Sequence, residues 1–104
     1  MRESAPENLR DAEYTILVFF SNFNERSLRT RVAIREFIDS HPRSRGIAAR
    51  EVSYEDDRDI CAQHGVTGTP ALFLFRKHQL IGRHFGEITH DELARLLEEA
   101  FGFD

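Results

Sequence analysis

Residues 66–75, VTGTPALFLF, decide most of the fold. A short turn that contains Thr69 and Pro70 leads there into five consecutive apolar residues. An uninterrupted apolar run of this length predicts a strand that is buried on both faces. A second run of the same kind, YTILVFFS, occupies residues 14–21. Because a sheet buried on both faces needs a layer above and below it, the two runs predict an α/β architecture.

The remaining segments alternate in character around these two runs. Residues 24–41 have three apolar pairs spaced four apart, and this predicts an amphipathic helix that ends before Pro42. The pairs are Leu28 with Val32, Ala33 with Phe37, and Ile34 with Ile38. Residues 47–53 predict a second strand, and residues 55–65 predict a short helix that Asp56 or Asp57 caps. Residues 80–85 predict a fourth strand, which is expected to form a hairpin with the strand at 71–75.

The last helix has the clearest pattern. Residues 89–101 place apolar side chains on one helical face, and Thr89 with Glu92 forms a capping-box pattern at the start. The complete predicted order is therefore β-α-β-α-β-β-α. The first two strands are expected to be parallel because a helix connects them.

Composition restricts the possible functions. The chain has 104 residues, a formal net charge of −4 and one cysteine. A single cysteine excludes an intramolecular disulfide and a multi-cysteine zinc site. We expect no nucleic-acid partner, since the charge is acidic. We also expect no membrane partner and a cytoplasmic location, because no apolar leader or long apolar run is visible. The predicted organisation is a polar lead-in at residues 1–13, with Pro6 suited to the first turn of a short helix, and one domain at 14–104.

Over residues 14–101 the chain resembles the thioredoxin-like superfamily. The resemblance depends on the first apolar strand with its loop and long helix, on Gly65-Val66 and Thr69-Pro70, and on Phe85-Gly86. It implies a four-stranded mixed sheet in the order 2-1-3-4, with helices on both faces. The sequence departs from the family at the active site. Asn24-Glu25-Arg26-Ser27 occupies the Cys-x-x-Cys position after the aromatic Phe23, and Val18 stands where active members commonly keep a buried acid.

This departure predicts a binding function without redox chemistry. Thiol–disulfide exchange needs an attacking thiolate and a second thiol, and the loop contains neither. The family's proline loop pairs with extended peptides, which requires no thiol. The expected partner is therefore a protein or an extended peptide, with no cofactor and no metal. The candidate binding residues are Phe23, Asn24, Glu25, Arg26, Ser27, Thr69 and Pro70.

Two alternatives stay open. Cys61, the only thiol, would serve a one-thiol oxidoreductase or a glutathione-linked redox protein, whereas a structural reading makes it a small buried side chain. The chain would instead be a structural dimerisation module if an exposed edge strand or the C-terminal Phe101 and Phe103 formed an association surface. The oligomeric state does not follow from the sequence.

Overall fold

The computed structural model describes residues 13–40 and 46–102. The predicted lead-in helix, Pro42 and Phe103 lie outside the described residues. The elements, in chain order, are β1 (Tyr14–Phe20), α1 (Glu25–Ser40), β2 (Ile47–Ser53), α2 (Arg58–Gln63), β3 (Ala71–Arg76), β4 (Gln79–Phe85) and α3 (His90–Phe101). This order confirms the predicted alternation of strands and helices.

The four strands form one mixed sheet in the order β2-β1-β3-β4. Strand β1 pairs with β2 in parallel and with β3 in antiparallel orientation, so that Phe19 lies between Val52 and Ala71. Strands β3 and β4 form the predicted antiparallel hairpin. The predicted strand order and strand directions are therefore confirmed.

Alternate residues of the two central strands supply two separate hydrophobic cores. On one face, Ile16 and Leu74 pack with side chains of α1 and α3, including Ile34 and Leu97. On the other face, the strand residues pack around the α2 residue Cys61. The continuous apolar runs in the sequence thus reflect strands that bury both sets of alternating side chains. Helices cover both faces, as predicted.

The buried face of α1 contains only part of the predicted apolar pattern, because Ile34 and Phe37 are in the core and Ile38 packs against it. Leu28 and Val32 are 58% and 43% exposed, whereas the polar Ser27 and Thr30 are buried. The two buried hydroxyls accept hydrogen bonds from backbone N–H groups of other segments, Ser21 at 3.1 Å and Ile88 at 3.3 Å. These backbone donors, one six and one 58 residues away in the chain, favour the polar residues on the inner face and leave Leu28 and Val32 outside.

Helix α2 is shorter than predicted. It begins at Arg58 because residues 54–56 form a turn after β2. Asp57 occupies the N-cap position, but its carboxylate accepts a hydrogen bond from the Ser53 N–H at 3.0 Å and does not cap the helix. The helix ends at Gln63, and Gly65 follows with a left-handed φ of 69°. A glycine is favoured at this position because it has no Cβ to cause strain.

Helix α3 agrees with its sequence pattern. The Thr89 hydroxyl accepts from the Glu92 N–H, and the Glu92 carboxylate accepts from the Thr89 N–H, which together form the predicted capping box. Gly102 ends the helix with a φ of 72°. Phe101 is buried and its ring lies 4.4 Å from that of Tyr14, so it packs into the fold and is not available as an association surface.

Candidate functional site

The residues at the Cys-x-x-Cys position begin helix α1 and bond to each other. The Asn24 Oδ1 accepts a hydrogen bond from the Ser27 N–H at 3.0 Å, which makes Asn24 the N-cap of the helix. The Ser27 side chain is fully buried, and its Oγ accepts from the Ser21 N–H at 3.1 Å. Both side chains therefore satisfy backbone donors at positions where a dithiol would otherwise lie. Their arrangement agrees with a structural role for Asn24 and Ser27.

Glu55 holds the loop that connects β1 to α1. Its carboxylate accepts one hydrogen bond from the Ser21 hydroxyl at 2.6 Å and another from the Asn22 N–H at 3.0 Å. The Ser21 Oγ in turn accepts from the Phe23 N–H at 3.1 Å. The bonds from Ser21 and Asn22 lower the pKa of the Glu55 carboxyl. The sequence placed Glu55 only in an acidic helix start, because nothing local indicates a partner 34 residues away.

Three loops meet beside this helix start. The Asn24 Nδ2 donates to the Thr69 carbonyl oxygen at 3.5 Å, which joins the α1 loop to the proline loop. The Thr69–Pro70 peptide bond is cis. The Pro70 carbonyl accepts from the Gly86 N–H at 2.9 Å, so the segment after β4 joins the same region. The structure therefore brings together the two groups of predicted site residues.

Two exposed aromatic side chains flank these loops. Phe23 is 87% exposed at the tip of the α1 loop, and a cavity of about 310 Å³ lies between this loop, Leu28 and Arg31. Phe85 is 59% exposed, pairs with Ala71 at the end of the proline loop, and has its ring 6.0 Å from that of Phe73. Phe85 was not among the site residues predicted from the sequence. Its place opposite the residue after Pro70 in the hairpin was the available signal.

A salt bridge connects α1 to the segment after β4. The Arg29 guanidinium donates two hydrogen bonds to Glu87, from Nε at 2.6 Å and from Nη2 at 3.0 Å. This pairing raises the pKa of Arg29 and lowers that of the Glu87 carboxyl. Glu25 is 3.9 Å from Arg29, and its side chain is almost fully exposed. Glu25 and Arg26, both predicted site residues, thus lie on the solvent side of the helix start.

Cys61 lies away from these loops. It is a buried residue of α2, packed with Phe73 on the sheet face opposite α1. Burial raises the pKa of its thiol, and the negative charges of Asp57 and Glu55 raise it further. A cavity of about 300 Å³ opens beside it, lined by Tyr54 and Val66 among others. A raised pKa reduces the thiolate fraction at neutral pH and with it the reactivity of the sulfur.

Two other kinds of feature are absent from the described residues. Within residues 13–40 and 46–102, no three His, Cys, Asp or Glu side chains are grouped so that they could hold a metal ion. Across the same part of the chain, no helix has the length and apolar character needed to cross a membrane.

Solved structures with the same architecture include thioredoxins. The structure superposes on Trxlp from Edwardsiella tarda EIB202 with a TM-score of 0.80 and 16% identity, over 93% of this chain and 98% of that chain. For a mutant thioredoxin from Halobacterium salinarum NRC-1 the TM-score is 0.77, with 16% identity over 88% of this chain and 77% of that chain. Fasciola hepatica thioredoxin gives a TM-score of 0.77, with 13% identity over 89% of this chain and 86% of that chain.

These likenesses confirm the fold. No protein-family model matches the sequence, and no curated protein matches it. At identities this low, the superpositions establish shared architecture alone. The chain therefore has a thioredoxin-like fold, and it carries Asn24-Glu25-Arg26-Ser27, with no cysteine, at the Cys-x-x-Cys position.

Proposed function

We propose that this thioredoxin-like protein is a redox-inactive binding module that engages a protein or an extended peptide. The binding surface consists of residues 23–26 and Thr69, with Phe85 added at its edge. Ser27 and Pro70, the other two predicted binding residues, are buried and present little side-chain surface to a partner. The observation that carries the proposal is the contact between the Asn24 side chain and the Thr69 carbonyl. This contact lies between the two loops, next to an exposed Phe23, although no thiol is present there.

The positions of the Cys61 thiol and the Ser27 hydroxyl support the absence of dithiol chemistry. Exchange requires a thiolate that attacks a disulfide and a second thiol that resolves the mixed disulfide. The only cysteine of the chain is buried on the opposite face of the sheet. The Ser27 hydroxyl is buried and already accepts a backbone hydrogen bond, so it is not presented to a substrate.

Phe23 is the principal source of binding energy. Full burial of a phenylalanine side chain contributes about 1.5–3 kcal/mol, which corresponds to about a 10- to 150-fold change in Kd. Aromatic anchors of this kind are typical of interaction hot spots. An extended peptide would add backbone hydrogen bonds at the proline loop by strand addition, with its side chains resting on Phe23 and Phe85.

The test is affinity capture from the source cell with a matched set of variants. The wild-type chain is compared with Phe23→Ser, with the Phe23→Ser/Thr69→Ala double variant, and with Val32→Ser. Val32→Ser is the control because it also removes an exposed apolar side chain, on the outer face of α1. We expect bound partners to be retained by the control and lost from the two loop variants. Partners that remain bound to the double variant would refute the proposal.

The one-thiol alternative depends on Cys61 alone. Its burial and raised pKa argue against a reactive thiolate, while the adjacent cavity is the feature that favours access to the sulfur. A Cys61→Ser variant decides the matter in a thiol-dependent reduction assay with glutathione. We expect wild type and variant to be equally inactive, and any turnover that disappears with Cys61→Ser would support the alternative. A cytoplasmic location and the absence of nucleic-acid and membrane partners also stay predictions.

A further inference from the structure

The outer face of α1 has an ordered stripe of four side chains. Leu28 and Val32 form its apolar middle, and Glu25 and Arg35 stand at its two ends. Their spacing of three, four and three residues places them on one side of a helix. The inward side chains of α1, Ser27, Thr30, Ile34 and Phe37, lie on the opposite side. Glu25 and Arg35 both extend into solvent, with side chains 92% and 60% exposed.

We propose that this stripe binds the same stripe of a second copy of the chain, as an antiparallel helix pair about a twofold axis. The order acid, apolar, apolar, base is complementary to itself when it is reversed. An antiparallel pair therefore places Leu28 of one protomer against Val32 of its partner, and Glu25 against Arg35. Each of these contacts occurs twice, as a twofold interface requires.

Charge selects this register over its neighbours. In the register where the Val32 residues of the two protomers face each other, Glu25 lies opposite Asp39 of the partner, and like charges at an interface are unfavourable. A pair centred on Leu28 would place Glu25 opposite Arg31, whose guanidinium stacks 3.8 Å over the Phe20 ring and binds Glu51. Of these three registers, only the one that places Leu28 against Val32 brings together two solvent-exposed side chains of opposite charge.

Arg35 can serve this contact while it keeps its bond within the protomer. Its Nη2 donates to Glu51 at 2.7 Å, and a guanidinium has five N–H donors in all. The apolar part of the contact is small, because it consists of two Leu–Val pairs. Interfaces below about 1,200 Å² are usually weak or transient. We therefore expect a dimer that forms in the range of tens to hundreds of micromolar.

This inference does not depend on the proposed peptide-binding function. Its readout is the mass of the pure protein, and Val32 lies outside the proposed binding loops. Val32→Ser should weaken the dimer and leave partner capture intact, whereas Phe23→Ser should have the opposite effect. The two proposals can thus fail separately.

Sedimentation equilibrium on the full chain, from about 10 µM to 1 mM, tests the proposal. The wild type should show a monomer–dimer equilibrium, and Val32→Ser should raise its Kd by about tenfold or more. Far-UV circular dichroism verifies that each variant is folded. A wild type that stays monomeric at about 1 mM, or a Val32→Ser variant that dimerises as the wild type does, would overturn the proposal.

A charge-exchange experiment tests the register. Glu25→Arg alone and Arg35→Glu alone each create two like-charge pairs, so both variants should dimerise more weakly than wild type. An equimolar mixture of the two variants places opposite charges in contact again and should form a heterodimer. Unchanged dimerisation of either single variant, or no recovery in the mixture, would contradict the antiparallel register. A dimer that forms through a surface other than the stripe would give this contradicting result.

Discussion

Replacing Asn24 with alanine removes two interactions of one side chain. The first is the N-cap hydrogen bond that Oδ1 accepts from the Ser27 N–H at 3.0 Å. Loss of such a cap costs about 1 kcal/mol, within a range of about 0.5–2 kcal/mol. The second is the 3.5 Å bond from Nδ2 to the Thr69 carbonyl, which is long and adds a smaller amount. We expect the free energy of unfolding to fall by about 1–1.5 kcal/mol, which lowers Tm by about 4–8 °C per kcal/mol in a domain of this size.

Asn24→Ser is the matched control. A serine side chain caps helices as well as asparagine does, but it is too short to reach the Thr69 carbonyl. We expect this variant to retain the unfolding free energy of wild type within about 0.5 kcal/mol. Urea denaturation followed by far-UV circular dichroism measures both variants, since the chain has no tryptophan for fluorescence. Equal destabilisation by serine and alanine would refute the assignment of Asn24 as the cap.

Four shorter predictions concern the surrounding structure. Glu55→Gln should destabilise the chain at neutral pH, because the pKa of the Glu55 carboxyl is lowered in the folded chain. The stabilisation from the ionised carboxylate is complete above the ordinary carboxyl pKa and is lost as the pH falls through the folded pKa. Urea titrations from neutral to acid pH measure the difference in unfolding free energy between wild type and variant, which should vanish at the acid end. Iodoacetamide should alkylate Cys61 at least about tenfold more slowly in the native chain than in urea, measured by mass spectrometry, and equal rates would show that the thiol is accessible. Leu97→Ala, in the fully buried part of α3, should cost about 2–5 kcal/mol in the same urea assay. The Asn24→Cys/Ser27→Cys variant should form a disulfide between its new cysteines, since the two residues already bond across one helical turn; a count of three free thiols after air oxidation would contradict this.

Much of the fold was predictable because its signals are local. The continuous apolar runs of β1 and β3 indicate burial on both faces, and the structure fills one face with α1 and α3 and the other with α2. The capping box of α3 needs only Thr89 and Glu92, three residues apart, and it forms as predicted. The predicted start of α2 was less accurate, because Asp57 binds the backbone of Ser53 and does not cap the helix.

The sequence predicted only part of the buried face of α1, namely the side of Ile34 and Phe37. Leu28 and Val32 have the spacing of a core face, yet the tertiary structure buries Ser27 and Thr30, whose hydroxyls satisfy the N–H groups of Ser21 and Ile88. The second of these donors lies 58 residues away in the chain. The apolar spacing identified Ile34 and Phe37, but the burial of Ser27 and Thr30 depends on backbone donors whose positions only the folded chain determines.

Some features of the candidate site were evident from the sequence, and others only from the tertiary structure. The sequence alone determined that the Cys-x-x-Cys position contains no thiol, that a Thr-Pro loop precedes a buried strand, and that the single cysteine lies at position 61. Only the tertiary structure decided that Asn24 contacts the Thr69 loop, that Glu55 binds the α1 loop, and that Phe85 lies opposite Ala71. Residue identity is a local property, and the sequence contains it completely. Contacts between distant segments depend on how the strands pair, and pairing exists only in the folded chain.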